Sequence, residues 1–182
     1  MRGLSYPTQP TESDMNITMY QASAPRFVNM LNNLAGLLDK AAAHAEAKKI
    51  DPQVLIGCRL YPDMFPLARQ VQIACDNAKG AVARLAGVEI PKHEDTETTF
   101  AELKARIAKT VEFVNGVKPA QVEGTEDQDI HLKLGKMEVT WKGMQYLLGF
   151  ALPNFYFHVM AAYAILRHNG VEIGKRDYIG NP

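Results

Sequence analysis

Cysteine is scarce in this chain of 182 residues, which contains only Cys58 and Cys75. Two such cysteines are too few for a disulfide framework or a cysteine-based zinc site. A reducing compartment suits the chain, and we therefore expect a cytoplasmic protein. Cys75 lies among the apolar positions of a predicted helix, and nothing near it in sequence would activate a thiolate. We interpret it as a small buried hydrophobic residue.

Net charge is absent as well, because twenty Lys and Arg residues balance twenty Asp and Glu residues. Nucleic acids and anionic membranes attract proteins mainly through concentrated positive charge, so we expect neither as a partner. No apolar run approaches the roughly 20 residues of a membrane-spanning helix. The start of the chain also lacks the pattern of a secretory signal. A phosphate-binding glycine loop, a Rossmann signature and a nucleophile–base pairing are all missing, which removes several common enzyme classes.

Helical periodicity is what the chain does contain, and its length suits a single domain. We expect residues 1–14 to form a flexible N-terminal segment and residues 15–182 to form one domain. Three long amphipathic helices are predicted first. They run from Ser23 to near Lys49, from near Met64 to Gly87, and from a capping box at Thr99 to near Gly116. Phe65 belongs to the predicted apolar stripe of the second helix. The connection between the first two helices leaves room for a long crossover as well as for a simple turn.

The fourth helix organises the chain. Pro153 suits its first turn or interrupts a helix that begins upstream, and Asn169-Gly170 is a favourable C-terminal stop. Asn154 and His158 lie four residues apart, so their side chains leave the same face of the helix. They are the only polar residues in its apolar middle. The apolar stripe of this helix consists of Leu152, Phe155, Tyr156, Val159, Tyr163 and Leu166.

Between the third and fourth helices the apolar period changes from 3.6 residues to 2. Ile130 to Leu134 and Met137 to Lys142 alternate apolar and polar residues around Gly135-Lys136, which predicts a β-hairpin. We expect Trp141 to pack on the helices and His131 to point outward. The predicted fold class is therefore all-α, a four-helix bundle with a small β-hairpin before the last long helix.

Several stretches resemble a family of uncharacterised bacterial proteins within the DinB/YfiT-like superfamily, which includes metalloenzymes. The stretches are Asp63 to Gln70, Leu85 to Glu89, Leu152 to His158 and Ala162 to Asp177. The resemblance implies a DinB/YfiT-like four-helix bundle with up-down-down-up topology and a long crossover, and it implies a homodimer. Some members of the superfamily are thiol-dependent transferases or isomerases that use a divalent metal held by three histidines.

The chain departs from that pattern at the metal site. The superfamily supplies one histidine from the second helix and two from the fourth, and the corresponding positions here are Gln70, Asn154 and His158. Only one of the three is a histidine, and the second helix contains none. Neutral amide oxygens are poor ligands for zinc or nickel. We therefore expect these three residues to bind Ni or Zn only weakly, unless a carboxylate such as Asp76 joins them.

Three interpretations of Gln70, Asn154 and His158 remain open. They form a hydrogen-bonded polar cluster within the bundle, a metal-free pocket for a small molecule, or a true metal centre. His158 is the candidate catalytic residue, acting as general acid or base, with Asn154 either fixing its tautomer or binding a substrate oxygen. The first functional hypothesis is a homodimeric small-molecule-binding or structural protein without the metal centre. The alternative is an enzyme of the thiol-dependent transferase kind that uses His158 with weak metal or none.

Overall fold

A computed structural model describes residues 16–180 of the chain, and the predicted flexible segment over residues 1–14 lies outside them. The described residues form helices, a π-helical turn and one two-stranded sheet. In chain order these are α1 (Met19–Ala22), α2 (Ala24–Lys48), α3 (Pro52–Gly57), α4 (Leu67–Ala86), α5 (Phe100–Gly116), α6 (Pro119–Val122), β1 (Asp129–Leu134), β2 (Met137–Lys142), α7 (Gly143–Tyr146), the π turn (Leu147–Ala151), α8 (Leu152–His168) and α9 (Lys175–Ile179). The predicted all-α bundle with a small hairpin is confirmed.

The second long helix begins later than the sequence predicts. α4 starts at Leu67 rather than near Met64, and Pro66 precedes it in an extended conformation with φ −70° and ψ 166°. A residue that precedes proline is disfavoured in the helical region, so Phe65 is excluded from the helix. Its side chain is 53% exposed instead of contributing to the buried stripe. The prediction that Phe65 points inward is therefore wrong.

The long crossover of the bundle lies between α4 and α5, in residues 87–99, and not in the first connection. Lys79 Nζ donates to the carbonyl of Pro91, and Gln72 Nε2 donates to Glu97. As the connector advances, its contacts on α4 therefore move back toward the start of that helix. α5 then begins beside the first turns of α4 and runs parallel to it, which produces the up-down-down-up arrangement.

The hairpin and the fourth long helix form one unit. β1 and β2 pair in antiparallel register around Gly135-Lys136, as predicted, with Ile130 opposite Trp141. The Trp141 ring lies 5.1 Å from the ring of Phe150, so the hairpin packs on the π turn. The π turn ends just before Pro153, and its hydrogen bond from Leu152 N–H to Leu147 O spans five residues. Pro153 is thus accommodated within a continuous helix.

α8 packs into the centre of the bundle against α2 and α4. Phe155 is fully buried, and its ring meets that of Phe27 edge to face at 4.9 Å. The buried face of α8 is displaced from the predicted stripe. It includes Ala161, Ala162 and Ile165, whereas Leu152, Tyr156 and Tyr163 are only half-buried. The stretch Gly143–His168 is long and apolar enough to cross a membrane by length and composition, and 39% of its most apolar part is buried inside the protein. The expected absence of a membrane partner stays a prediction.

Candidate functional site

Gln70 and His158 meet in the interface between α4 and α8. The two helices run antiparallel, and the Nδ1 atom of His158 lies 2.7 Å from Oε1 of Gln70. Both residues are buried, Gln70 with 1% of its surface exposed and His158 with 8%. The edge-to-face ring of Phe157 covers one side of the imidazole, with the ring centres 5.2 Å apart. The structure therefore brings together two of the three predicted site residues.

The contact with Gln70 determines which nitrogen of His158 carries the proton. Gln70 Nε2 donates to the carbonyl oxygen of Phe65 at 3.1 Å, so Oε1 of the same amide faces the imidazole. An amide oxygen accepts hydrogen bonds and cannot donate them, so Nδ1 of His158 must be the N–H donor. In the neutral ring Nε2 then keeps its lone pair. Nε2 makes no hydrogen bond to any other side chain in residues 16–180.

Electrostatics favour the neutral form of this histidine. Burial lowers the pKa of His158 below the ordinary imidazole value of 6.5, and the positive charge of Arg69 lowers it further. Arg69 lies in the first turn of α4, where it forms an ion pair with Asp95. A neutral imidazole with a free Nε2 can accept a hydrogen bond, take a proton or coordinate a metal ion.

Asn154 makes no hydrogen bond to His158. Its Nδ2 atom donates to Oδ1 of Asn77 at 3.2 Å, one turn further along the same helix pair. Asn154 projects from α8 toward Asn77, while His158 projects toward Gln70. Because the two helices are antiparallel, the earlier residue of α8 faces the later residue of α4. The tautomer of His158 is consequently set by Gln70 and not by Asn154. The alternative role of Asn154, binding a substrate oxygen, stays a prediction. Nδ2 of Asn77 is buried without a partner among the described residues.

The donor atoms at the three positions do not fit a three-histidine metal centre. They supply one imidazole, an amide oxygen already bound to that imidazole, and an amide directed toward Asn77. Asp76 does not join them, since its Oδ1 atom contacts Arg106 at 2.8 Å and Lys79 at 3.1 Å. Within residues 16–180 no group of three or more His, Cys, Asp and Glu side chains is arranged to hold a metal ion.

The other cysteine and histidine candidates play no part in this interface. Cys75 is fully buried in α4, and burial raises the pKa of its thiol to about 12, which makes a thiolate inaccessible at neutral pH. His131 is exposed on the hairpin, and its Nδ1 lies 2.8 Å from the hydroxyl of Thr140. Both side chains occupy the environments predicted for them.

Sequence reasoning missed a second polar cluster, which surrounds Arg106 on α5. The side chain of Arg106 is 1% exposed and pairs with the carboxylates of Asp76, Asp95 and Glu97. Two signals were present in the sequence. Arg106 follows the inward-facing Leu103 by three residues, and the connector before α5 is rich in acidic residues. Their meeting depends on the crossover, which the helical pattern does not reveal.

The parallel crossover, the hairpin before the last long helix and the arrangement of the four long helices define a DinB-like helical protein. The crystal structure of a DinB family protein from Shewanella denitrificans is similar, with a TM-score of 0.81 and 46% sequence identity over 90% of this chain and 92% of that chain. The family model of a domain of unknown function, DUF1993, matches residues 19–179. The chain belongs to this family. It matches none of the curated proteins.

Proposed function

We propose that this protein is a homodimeric small-molecule-binding protein without the three-histidine metal centre of its superfamily. The hydrogen bond between Gln70 and His158 carries the proposal. Where the resemblance places two metal ligands, the side chains bind each other at 2.7 Å, and Gln70 is in turn held by the carbonyl of Phe65. The Gln70 amide and Nδ1 of His158 are satisfied in this way, so this pair needs no ion to offset its burial.

The chemistry of the bound molecule follows from His158. Its free Nε2 is a hydrogen-bond acceptor, because Nδ1 is the donor to Gln70. The ring of the neighbouring Phe157 lies 5.2 Å from the imidazole, and this residue is 57% exposed, which provides apolar surface next to His158. A ligand with an O–H or N–H donor attached to an apolar or aromatic group suits this combination.

Metal content separates this proposal from a metalloenzyme. We expect protein purified without chelator to contain less than one equivalent of any divalent metal by elemental mass spectrometry, and His158→Ala to contain the same amount. Addition of a chelator should leave the unfolding temperature unchanged. One equivalent of nickel or zinc that disappears in His158→Ala would refute the proposal. His131→Ala, which removes an exposed histidine of the hairpin, serves as the matched control.

Ligand binding is tested with 4-methylphenol, which combines an O–H donor with an aromatic ring, and with toluene, which has the same shape without the donor. We expect 4-methylphenol to shift the ring nitrogen resonance of His158 Nε2 in an NMR titration, and toluene to leave it unchanged. Equal effects of both compounds, or no effect of either, would contradict the proposed acceptor role of Nε2.

An enzyme of the thiol-dependent transferase kind is the second candidate. The lowered pKa of His158, caused by burial and by Arg69, favours it because a neutral imidazole can act as a general base. Nε2 would accept the proton of a thiol, and the resulting sulfur anion would attack an electrophilic carbon and displace its leaving group. Glutathione with 1-chloro-2,4-dinitrobenzene is a simple probe, which releases chloride. A rate that exceeds that of His158→Ala would support the enzyme, and equal rates would remove this candidate for that substrate pair.

A further inference from the structure

Arg106 is a buried charge with one unused donor. Its Nη1 atom donates to the carbonyl of Glu94 and to Glu97, each at 3.0 Å. Its Nη2 atom contacts Asp76 at 2.8 Å and Asp95 at 2.9 Å. Nε is buried and has no partner among residues 16–180. A buried N–H without a hydrogen bond is costly, so this atom calls for an acceptor that the chain itself does not supply.

A cleft of about 330 Å³ lies in front of this side chain, between the crossover and α5. His93, on the crossover, also lines the cleft, and its Nδ1 atom is buried without a partner in the described part of the chain. Two residues with an unpartnered polar atom, on two different elements, therefore line one cavity. Its volume suits a small molecule or a single charged group of a larger one.

Two lysines without an ion pair in residues 16–180, Lys92 and Lys109, line the cleft. Of the lining carboxylates, Glu97 is bound by Arg106 and Gln72, whereas Glu102 accepts the neutral amides at the start of α5. The charges of Glu94 and Glu102 therefore balance those of the two lysines. The attraction for an oxyanion rests on the unpartnered Nε–H of Arg106 together with the exposed lysines.

His93 is held in its neutral form. Burial lowers the pKa of His93, and the positive charges of Lys79, Arg106 and Lys109 lower it further, against the opposing effect of Asp76. A neutral imidazole with an unpartnered Nδ1 can donate a hydrogen bond from that atom in one of its two tautomers.

We propose that this cleft binds a small oxyanion, either a carboxylate or a phosphate group. One oxygen accepts the hydrogen bond of Arg106 Nε, and the ammonium groups of Lys92 and Lys109 supply the attraction. Nδ1 of His93 donates to a second oxygen in the tautomer that protonates this atom. The site is separate from Gln70 and His158 and does not depend on the function proposed for them.

The test is an NMR titration of the whole protein with inorganic phosphate and, in parallel, with acetate at constant ionic strength. We expect saturable shifts of the Arg106 Nε–H and His93 ring resonances with at least one of the two anions. The double variant Lys92→Gln/Lys109→Gln should weaken binding about fivefold to tenfold, since each exposed ion pair contributes modestly. Lys133→Gln, an exposed lysine on the hairpin, is the matched control and should bind like the unmodified chain.

The two anions identify the ligand group. Binding of phosphate alone supports a phosphate-bearing ligand, binding of acetate alone supports a carboxylate, and binding of both supports a general oxyanion site. Shifts that do not saturate, or equal affinities of the double variant and Lys133→Gln, would overturn the proposal. Circular dichroism verifies that the variants are folded, which the exposure of all three lysines favours.

Discussion

The two ring nitrogens of His158 have different environments, and this difference is the main chemical feature of the interface between α4 and α8. Nδ1 is bound by Gln70, whose own orientation is set by the Phe65 carbonyl, whereas Nε2 is left free. A fixed hydrogen bond to one ring nitrogen holds an imidazole in one tautomer and one orientation. A three-member chain of backbone, amide and imidazole thus positions a single acceptor atom.

The first prediction concerns the strength of that pairing. His158→Ala should lower the free energy of unfolding by about 1–3 kcal/mol, because it leaves the buried oxygen of Gln70 without a donor. The double variant with Gln70→Ala should lose less than the sum of the two single losses, since the residues are coupled. Chemical denaturation of the four proteins measures this cycle. The matched control is Thr99→Ala, a helix cap distant from the pair, whose loss of about 1 kcal/mol should add to that of His158→Ala.

The second prediction is a pH dependence of stability. The pKa of His158 is lower in the folded protein than the ordinary value of 6.5, so the unfolded chain binds a proton more readily as the pH falls. The free energy of unfolding should therefore decrease from about pH 7.5 to about pH 5. In His158→Gln this decrease should be smaller, while the contribution of His93, whose pKa is also lowered, is retained. Identical pH profiles of the two proteins would contradict the lowered pKa.

At the scale of secondary structure, proline and glycine decide where helices begin and how closely elements approach. Pro66 delays the start of α4 and leaves Phe65 exposed. Pro153 follows the π turn, which rotates α8 relative to α7 and so helps to set the direction of Asn154 and His158. The hydrogen bonds Gln70–His158 and Asn77–Asn154 between α4 and α8 depend on these local adjustments.

The third prediction compares two helical glycines. A Cβ at Gly36, within α2, would meet no atom within 4 Å, so Gly36→Ala should raise the free energy of unfolding by about 0.5–1 kcal/mol. A Cβ at Gly143 would lie 2.0 Å from the carbonyl oxygen of Thr125, which must then move. Gly143→Ala should destabilise the protein by about 1–3 kcal/mol. Thermal denaturation of both variants measures the effects, and a stabilised Gly143→Ala would contradict the close packing of the loop on α7.

At the scale of the whole molecule, the most apolar helix is incompletely covered. Phe157 and Met160, three residues apart on α8, are 57% and 47% exposed. Exposed apolar patches of this kind mark interaction surfaces. A second copy of the chain is the partner that the resemblance to the DinB/YfiT-like superfamily implies, which is why the proposed function includes a homodimer.

The fourth prediction is the oligomeric state. Light scattering at micromolar concentration should give the mass of a dimer, and Phe157→Glu/Met160→Glu should give a monomer that remains folded. Met137→Glu is the matched control, because Met137 is 65% exposed on the hairpin, and this variant should stay dimeric. A monomeric mass for the unmodified chain would remove the dimer, and a dimeric double variant would place the interface elsewhere.

The sequence by itself determined the four long helices and the hairpin of this protein. These elements follow from features that depend only on residues close in the chain. The features are apolar residues at helical spacing, caps such as Thr99, and the alternation around Gly135-Lys136. The resemblance identified Gln70 and His158 as equivalent positions before any geometry was known.

Only the tertiary structure decided which polar side chains meet. The position of the crossover places Arg106 beside carboxylates from α4 and from the connector, and the antiparallel packing of α8 separates Asn154 from His158. These contacts join residues far apart in sequence, and their geometry depends on helix rotation. A shift of one residue turns a helix by about 100° and exchanges one partner for another. The periodicity of a single helix specifies which face is buried, but it does not specify what that face will touch.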